Sequence, residues 1–127
     1  MIRLNLQTEP TWIDLAPGIS VLIDPIGTTA LKQAGVSDDL RAAKDLYPIA
    51  EGDEKPDQRT LDMRFVHLVK AIAKIVVRDW KGVLDANGDE APVTAAYIEA
   101  LLELNPIYNT FVPHVTRALT LVTEKNG

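Results

Sequence analysis

Asp85, Asn87 and Asp89 have the spacing that comes nearest to a recognised chemistry. Alternating oxygen ligands of this kind open a calcium-binding loop, which also needs glycine at its sixth position and a bidentate glutamate at its twelfth. Glu90 and Ala96 stand at those places, so an acidic turn is expected and no metal. The two histidines, His67 and His114, have no ligand-type neighbour at metal-binding spacing. Ser20 and Ser37 lack the glycine-framed elbow that presents a nucleophile. The absence of cysteine removes thiolate catalysis, disulfides and cysteine-held zinc or iron–sulfur groups together. The seven glycines are scattered at turns, with no phosphate loop and no dinucleotide fingerprint. No catalytic residue and no cofactor is therefore assigned, and an enzyme is not expected. A small enzyme whose site only the fold assembles is the alternative, and it would bring titratable groups together in one pocket.

A chain of 127 residues is long enough to bury one core, and its 46% hydrophobic and 24% charged residues have the balance of a soluble domain. A formal charge of −5 argues against nonspecific nucleic-acid binding. No stretch approaches the roughly 18 apolar residues of a membrane span. The opening Met1–Gln7 alternates apolar and polar residues, unlike a signal peptide. The cytoplasm is the expected location, with no membrane partner.

These residues must be positioned by an α+β fold: a small N-terminal antiparallel sheet of two or three strands, packed against a mainly helical remainder with one long central helix and a short hairpin. Ile2, Leu4 and Leu6 alternate with polar residues, as do Ile19, Val21 and Ile23 after the Pro17-Gly18 turn, which predicts a β meander over residues 1–25 with Trp12 packed on one face. Two or three strands are not stable alone and must be covered by helices. Their edges also invite pairing with a second copy, so a homo-oligomer is possible. Short helices follow over residues 28–47, capped by Thr28 or Thr29 and by Ser37. Residues 48–57 form an acidic loop. Asp57 caps the central helix, placed at residues 58–79 by a core face of Leu61, Phe65, Leu68, Ile72 and Ile75 or Val76. The β-branched run Ile75-Val76-Val77 favours extended backbone at its end. Lys70, Lys74 and Arg78 recur on one side, as a solvated face or a binding ridge.

Residues 80–93 read as a hairpin, since Asn87-Gly88 suits the two positive-φ positions of a type I′ turn. C-terminal helices occupy residues 94–122, the first capped by Thr94 and the second opened by Asn105-Pro106. Ile107, Phe111, Val115, Ala118 or Leu119, and Val122 form the last stripe, in which Pro113 predicts a kink or two short helices. The tail after Val122 is expected to be loose.

The step Asp79-Trp80-Lys81-Gly82-Val83, the turn Asp85-Ala86-Asn87-Gly88, Pro92-Val93-Thr94 before a helix, Leu101-Leu102, Asn105-Pro106 and Phe111 resemble the tail assembly chaperones of bacteriophages and prophages. The opening Trp12-Ile13-Asp14-Leu15-Ala16-Pro17-Gly18 and Thr28-Thr29-Ala30-Leu31 also look like such proteins, whereas residues 35–57 carry no counterpart. The resemblance implies a chaperone that holds the tape measure protein while tail tube subunits polymerise around it. Its partners would be phage tail proteins, the tape measure first and the tail tube as a further candidate. Client contact would fall to Tyr108, Phe111 and Val115 if the Pro113 break exposes them; the other reading is that they close the core. A structural tail component, of the completion or connector type, is the alternative function.

Overall fold

The computed structural model describes Met1 and residues 9–126, with residues 121–126 as backbone. The expected strand at Ile2, Leu4 and Leu6 lies outside the described residues. In chain order the elements are β1 (Thr11–Ala16), β2 (Ile19–Ile23), α1 (Thr28–Gly35), α2 (Asp38–Leu46), α3 (Gln58–Val76), β3 (Val77–Lys81), α4 (Ala95–Leu102) and α5 (Asn105–Asn126). The α+β expectation holds. The third described strand, however, comes from the far end of the central helix.

β1 and β2 pair antiparallel across Pro17-Gly18, where Gly18 takes φ 78° and Ala16 faces Ile19. A left-handed second residue after proline is the geometry of a type II turn. β3 adds antiparallel to β2, giving the order β1-β2-β3. Leu15 is the extra residue of one register shift, between Asp14 and Ala16, and Arg78 that of the other, opposite the step from Leu22 to Ile23. The bulges rotate side chains locally, and Leu15, Val21, Ile23 and Trp80 end up buried on the helix-covered face. On the open face Trp12 stands opposite Leu22, 40% exposed, with the Lys81 ammonium 4.4 Å from its ring centroid. Among the described residues β3 is an edge strand, and its Trp80 amide donates to the Asp79 carboxylate at 2.8 Å.

The central helix ends at Val76, three residues before the expected limit. Its β-branched end is where the chain turns extended, since branched side chains suit a pleated strand better than a helical turn. Asp57 does cap the helix, accepting from the Thr60 amide at 2.8 Å, and those bonds lower its carboxyl pKa. Burial along α3 is concentrated in Val69, Lys70, Ala71, Ile72, Ala73 and Val76. Leu61 is 47% exposed, so the core face starts later than its periodicity suggested. One buried cluster joins the sheet to the helices, from Leu15 and Val21 through Ile72 and Val76 to Ile98, Phe111 and Val115.

Ser37 and Thr94 cap α2 and α4, accepting from the amides of Leu40 and Tyr97. α1 departs from expectation. Gly27 is its cap residue and makes no side-chain bond, so Thr28 and Thr29 lie inside the helix. α5 is a single helix despite Pro113, and its backbone stays helical to Asn126, where a loose tail was expected. The Leu104 carbonyl already accepts from the Tyr108 amide at 3.0 Å, which makes Leu104 the half-in residue and places Asn105 within the first turn. Among the described residues, no helix is long and apolar enough to cross a membrane.

Candidate interaction surface

Trp80 anchors the segment that joins α3 to α4. It is 1% exposed, and its indole N–H donates to the Ala91 carbonyl at 2.8 Å, which ties β3 to the return arm of the hairpin. Gly82, two residues on, has φ 81°, and a Cβ there would fall 1.9 Å from the Gly18 carbonyl oxygen. The Trp-x-Gly-Val step is therefore a packing motif. Tryptophan fills the core, glycine lets the β1–β2 turn approach, and Val83 turns back into the interior at 9% exposure.

The hairpin arms meet in one bridge, Leu84 to Glu90. Its turn is not type I′: only Gly88 has positive φ, at 83°, and Asn87 does not. Gly88 donates to the Asp85 carbonyl at 3.1 Å and Asp85 to the Asp89 carbonyl at 2.7 Å, the pattern of a three-residue loop closed by a left-handed glycine. The Asp85 carboxylate folds back onto the amides of Asn87 and Asp89 at 2.9 and 3.0 Å. The oxygen with the best claim to a calcium ion is thus shaping the turn.

Lys70, Lys74 and Arg78 are all in ion pairs, and only Arg78 of the three is exposed. Lys70 is buried, 8% exposed, and donates to Glu103 at 2.6 Å. Lys74 donates to Asp39 at 3.2 Å and Glu99 at 2.9 Å, and Arg78 to Asp24 at 2.7 Å. The row bolts α3 to α4 and α2, and β3 to the end of β2. The Lys74 hydrogen bond holds the Glu99 carboxyl below its usual range against burial, with help from the charges of Lys74, Lys70 and His67. Burial pulls Lys74 down, but its bonds to Glu99 and Asp39 outweigh this and leave its pKa raised.

Of the three residues expected to touch a partner, Phe111 and Val115 are 1% and 0% exposed. They close the core, because the Pro113 helix runs on unbroken and keeps their stripe facing inward. Tyr108 is only half-buried, and burial, then the Asp62 charge, raises its pKa. With Leu104, Val112 and Leu119 it forms a row beside the core stripe, mostly at four-residue spacing. Leu104 and Leu119 are 55% and 50% exposed, while Tyr108 and Val112 are half-covered. Asp62, whose charge acts on Tyr108, lies in the first turns of α3, where Leu61 is exposed and Phe65 half-buried. A partly covered apolar row on a surface helix can take the apolar face of another helix. Sequence reasoning found the stripe and chose its buried centre; the signal for the flank was the offset of Leu104, Tyr108 and Val112 from Ile107, Phe111 and Val115.

Elsewhere, an open hollow of about 450 Å³ lies between the Pro17-Gly18 turn and α5, lined by Asp14, Ala16 and Thr110 among others. A void of about 10 Å³ sits inside the core against Trp80 and Phe111. Neither brings titratable side chains together in the manner of a catalytic site.

In comparison with known proteins, the chain falls in the class of prophage-encoded proteins. The family model described as YdaY prophage protein matches residues 33–124, and the chain belongs to that family. The match takes in residues 35–57, where the resemblance to tail assembly chaperones carried no counterpart, and it stops short of β1 and β2. No curated protein and no solved structure matches the chain.

Proposed function

We propose that this prophage protein is a tail assembly chaperone, which binds the tape measure protein in the host cytoplasm while tail tube subunits assemble. The observation that carries the reading is the apolar row Leu104, Tyr108, Val112 and Leu119 along α5, in which Leu104 and Leu119 are exposed and Tyr108 and Val112 half-covered. Such a row suits a client helix, whose apolar face it would shield from self-association. Membership of a prophage family and the Trp80–Thr94 resemblance support the same class. Ser37, Lys70 and Lys74 are committed to a helix cap and to interhelical ion pairs, which supports a binder over an enzyme. Tail proteins are accordingly its proposed partners, with no nucleic acid, membrane or cofactor in the reading.

Co-expression with the tape measure protein of the same prophage tests this. The soluble yield of that protein should rise, and the two should co-purify at low salt. Unchanged yield without co-purification would overturn the reading. Retention of the chain in purified particles would favour a structural tail component instead.

A further inference from the structure

Asn87-Gly88 sets a carboxamide beside a backbone nitrogen that no side chain shields. Both residues are exposed at the hairpin tip, and even a Cβ on Gly88 would meet nothing within 4 Å. The Asn87 carboxamide makes no hydrogen bond among the described residues, so it is free to swing toward the next peptide nitrogen. Asn105 and Asn109 have different neighbours. Asn105 precedes Pro106, whose nitrogen has no proton to lose, and Asn109 precedes the β-branched Thr110 inside α5. What holds Asn87 back is Asp85. Its carbonyl accepts from the Gly88 amide at 3.1 Å, and its carboxylate accepts from the amides of Asn87 and Asp89 at 2.9 and 3.0 Å. These bonds grip both sides of the Asn87–Gly88 peptide. The negative charge of Asp85, with Asp89 and Glu90 adjoining, also disfavours a deprotonated amide nitrogen there.

We propose that Asn87 is a self-modification site, converting through a succinimide to aspartate and isoaspartate, with Asp85 setting the pace. The Gly88 nitrogen gives its proton to solvent hydroxide and bonds to Asn87 Cγ. The Cγ–Nδ2 bond then breaks, and the side-chain nitrogen takes a proton from water and leaves as ammonia. Water next opens the five-membered ring at either carbonyl. Attack at Cγ gives aspartate; attack at the main-chain carbon gives isoaspartate, whose backbone runs through Cβ and Cγ. The net change is one water consumed and one ammonia released, with nothing oxidised or reduced. Isoaspartate adds a carbon to the loop that the Asp85–Gly88 and Asp85–Asp89 bonds close, so those bonds are lost or lengthened. Either product adds a negative charge among Asp85, Asp89 and Glu90. The damage stays at the tip, because the Ala91 amide donates to the Val83 carbonyl at 2.9 Å and the Trp80 indole holds the Ala91 carbonyl, both beyond the Leu84–Glu90 bridge.

The full chain, held in mildly alkaline buffer and sampled by peptide mapping with fragmentation, tests this, since the map separates Asn87 from Asn105, Asn109 and the Asn126-Gly127 pair. Aspartate and isoaspartate should accumulate at Asn87, faster as pH rises, while Asn105 and Asn109 stay intact. A free peptide of residues 82–93, which has no folded turn to open, should convert several-fold faster than the chain. Asp85→Ala should move the rate in the chain toward that of the peptide. Asp85→Asn, which keeps an acceptor and removes the charge, should fall between Asp85→Ala and wild type. Gly88→Ala should slow conversion several-fold in chain and peptide alike, which keeps the test independent of how the variant folds. The converted chain should retain its melting transition, with faster hydrogen exchange at the Asp89 amide. An intact Asn87 after the peptide has converted completely, aspartate without isoaspartate, or a rate unmoved by Asp85→Ala would each overturn the proposal. Loss of the melting transition on conversion would overturn the confinement of the change to the tip.

Discussion

Gly82 and Gly88 share a left-handed φ, 81° and 83°, but differ in surroundings, and that difference is measurable. Around Gly88 a Cβ meets nothing within 4 Å, so Gly88→Ala should cost only the backbone penalty, about 1–2 kcal/mol. At Gly82 the same methyl falls 1.9 Å from a backbone carbonyl of the β1–β2 turn, which cannot swing aside as a side chain would. Gly82→Ala should therefore lower the urea midpoint clearly more than Gly88→Ala; equal shifts would mean the turn yields without cost. Trp80→Phe keeps an aromatic ring in the core and orphans the Ala91 carbonyl, for an expected loss of about 1–3 kcal/mol. Calcium should leave the melting temperature of the wild-type chain unmoved, because the Asp85 carboxylate is engaged with its own turn. A large upward shift would show that the turn opens to take the ion.

At the scale of elements, the ion-pair row gives the contact of α3 with α4 a pH signature. Glu99 has a folded pKa below its ordinary 4.5, so its pairing stabilises the fold above that value and is lost as pH falls through the folded one. Lys74 stands above 10.5, so its share is present below that value and is lost as pH rises through the folded one. Glu99→Gln should flatten the acid limb of a stability–pH profile relative to wild type; parallel limbs would remove Glu99 from the network. This row also marks the limit of what local pattern can reveal. Lysines and arginine at four-residue spacing look alike whether solvated or paired, and the partners Glu103, Asp39 and Asp24 lie 33, 35 and 54 residues away in the chain. Features set within a few residues were legible: the Ser37, Asp57 and Thr94 caps, the Pro17-Gly18 turn, and the tension in Ile75-Val76-Val77 that becomes the helix-to-strand switch. Asn87-Gly88 misled because the pair also suits a longer loop, once Asp85 and Asp89 close it. On α5 the apolar stripe was visible, but whether Tyr108 or Phe111 faces outward depends on where β1, α3 and α4 pack against it, which the stripe does not encode.

For the whole molecule, the position of β3 has a consequence for cooperativity. A sheet whose third strand leaves the central helix without a linker is not free to form or melt apart from that helix. The Asp24 amide donates to the Val76 carbonyl at 2.9 Å at the junction, and the buried cluster runs through β1, β2, β3 and all five helices. Unfolding should then be a single transition seen alike by every probe. The two tryptophans allow a direct reading, since Trp12 is on the open face and Trp80 is in the core. In a Trp12→Phe chain the fluorescence comes from Trp80 alone and reports the sheet-to-helix junction, while far-ultraviolet circular dichroism reports mainly the helices. The two urea curves should coincide. Ile72→Ala, which truncates a fully buried side chain of α3, should shift both to lower urea together, by about 2–5 kcal/mol in unfolding free energy. A fluorescence curve that moves while the dichroism curve stays would split the molecule into two units and place the junction between them at Val76–Val77.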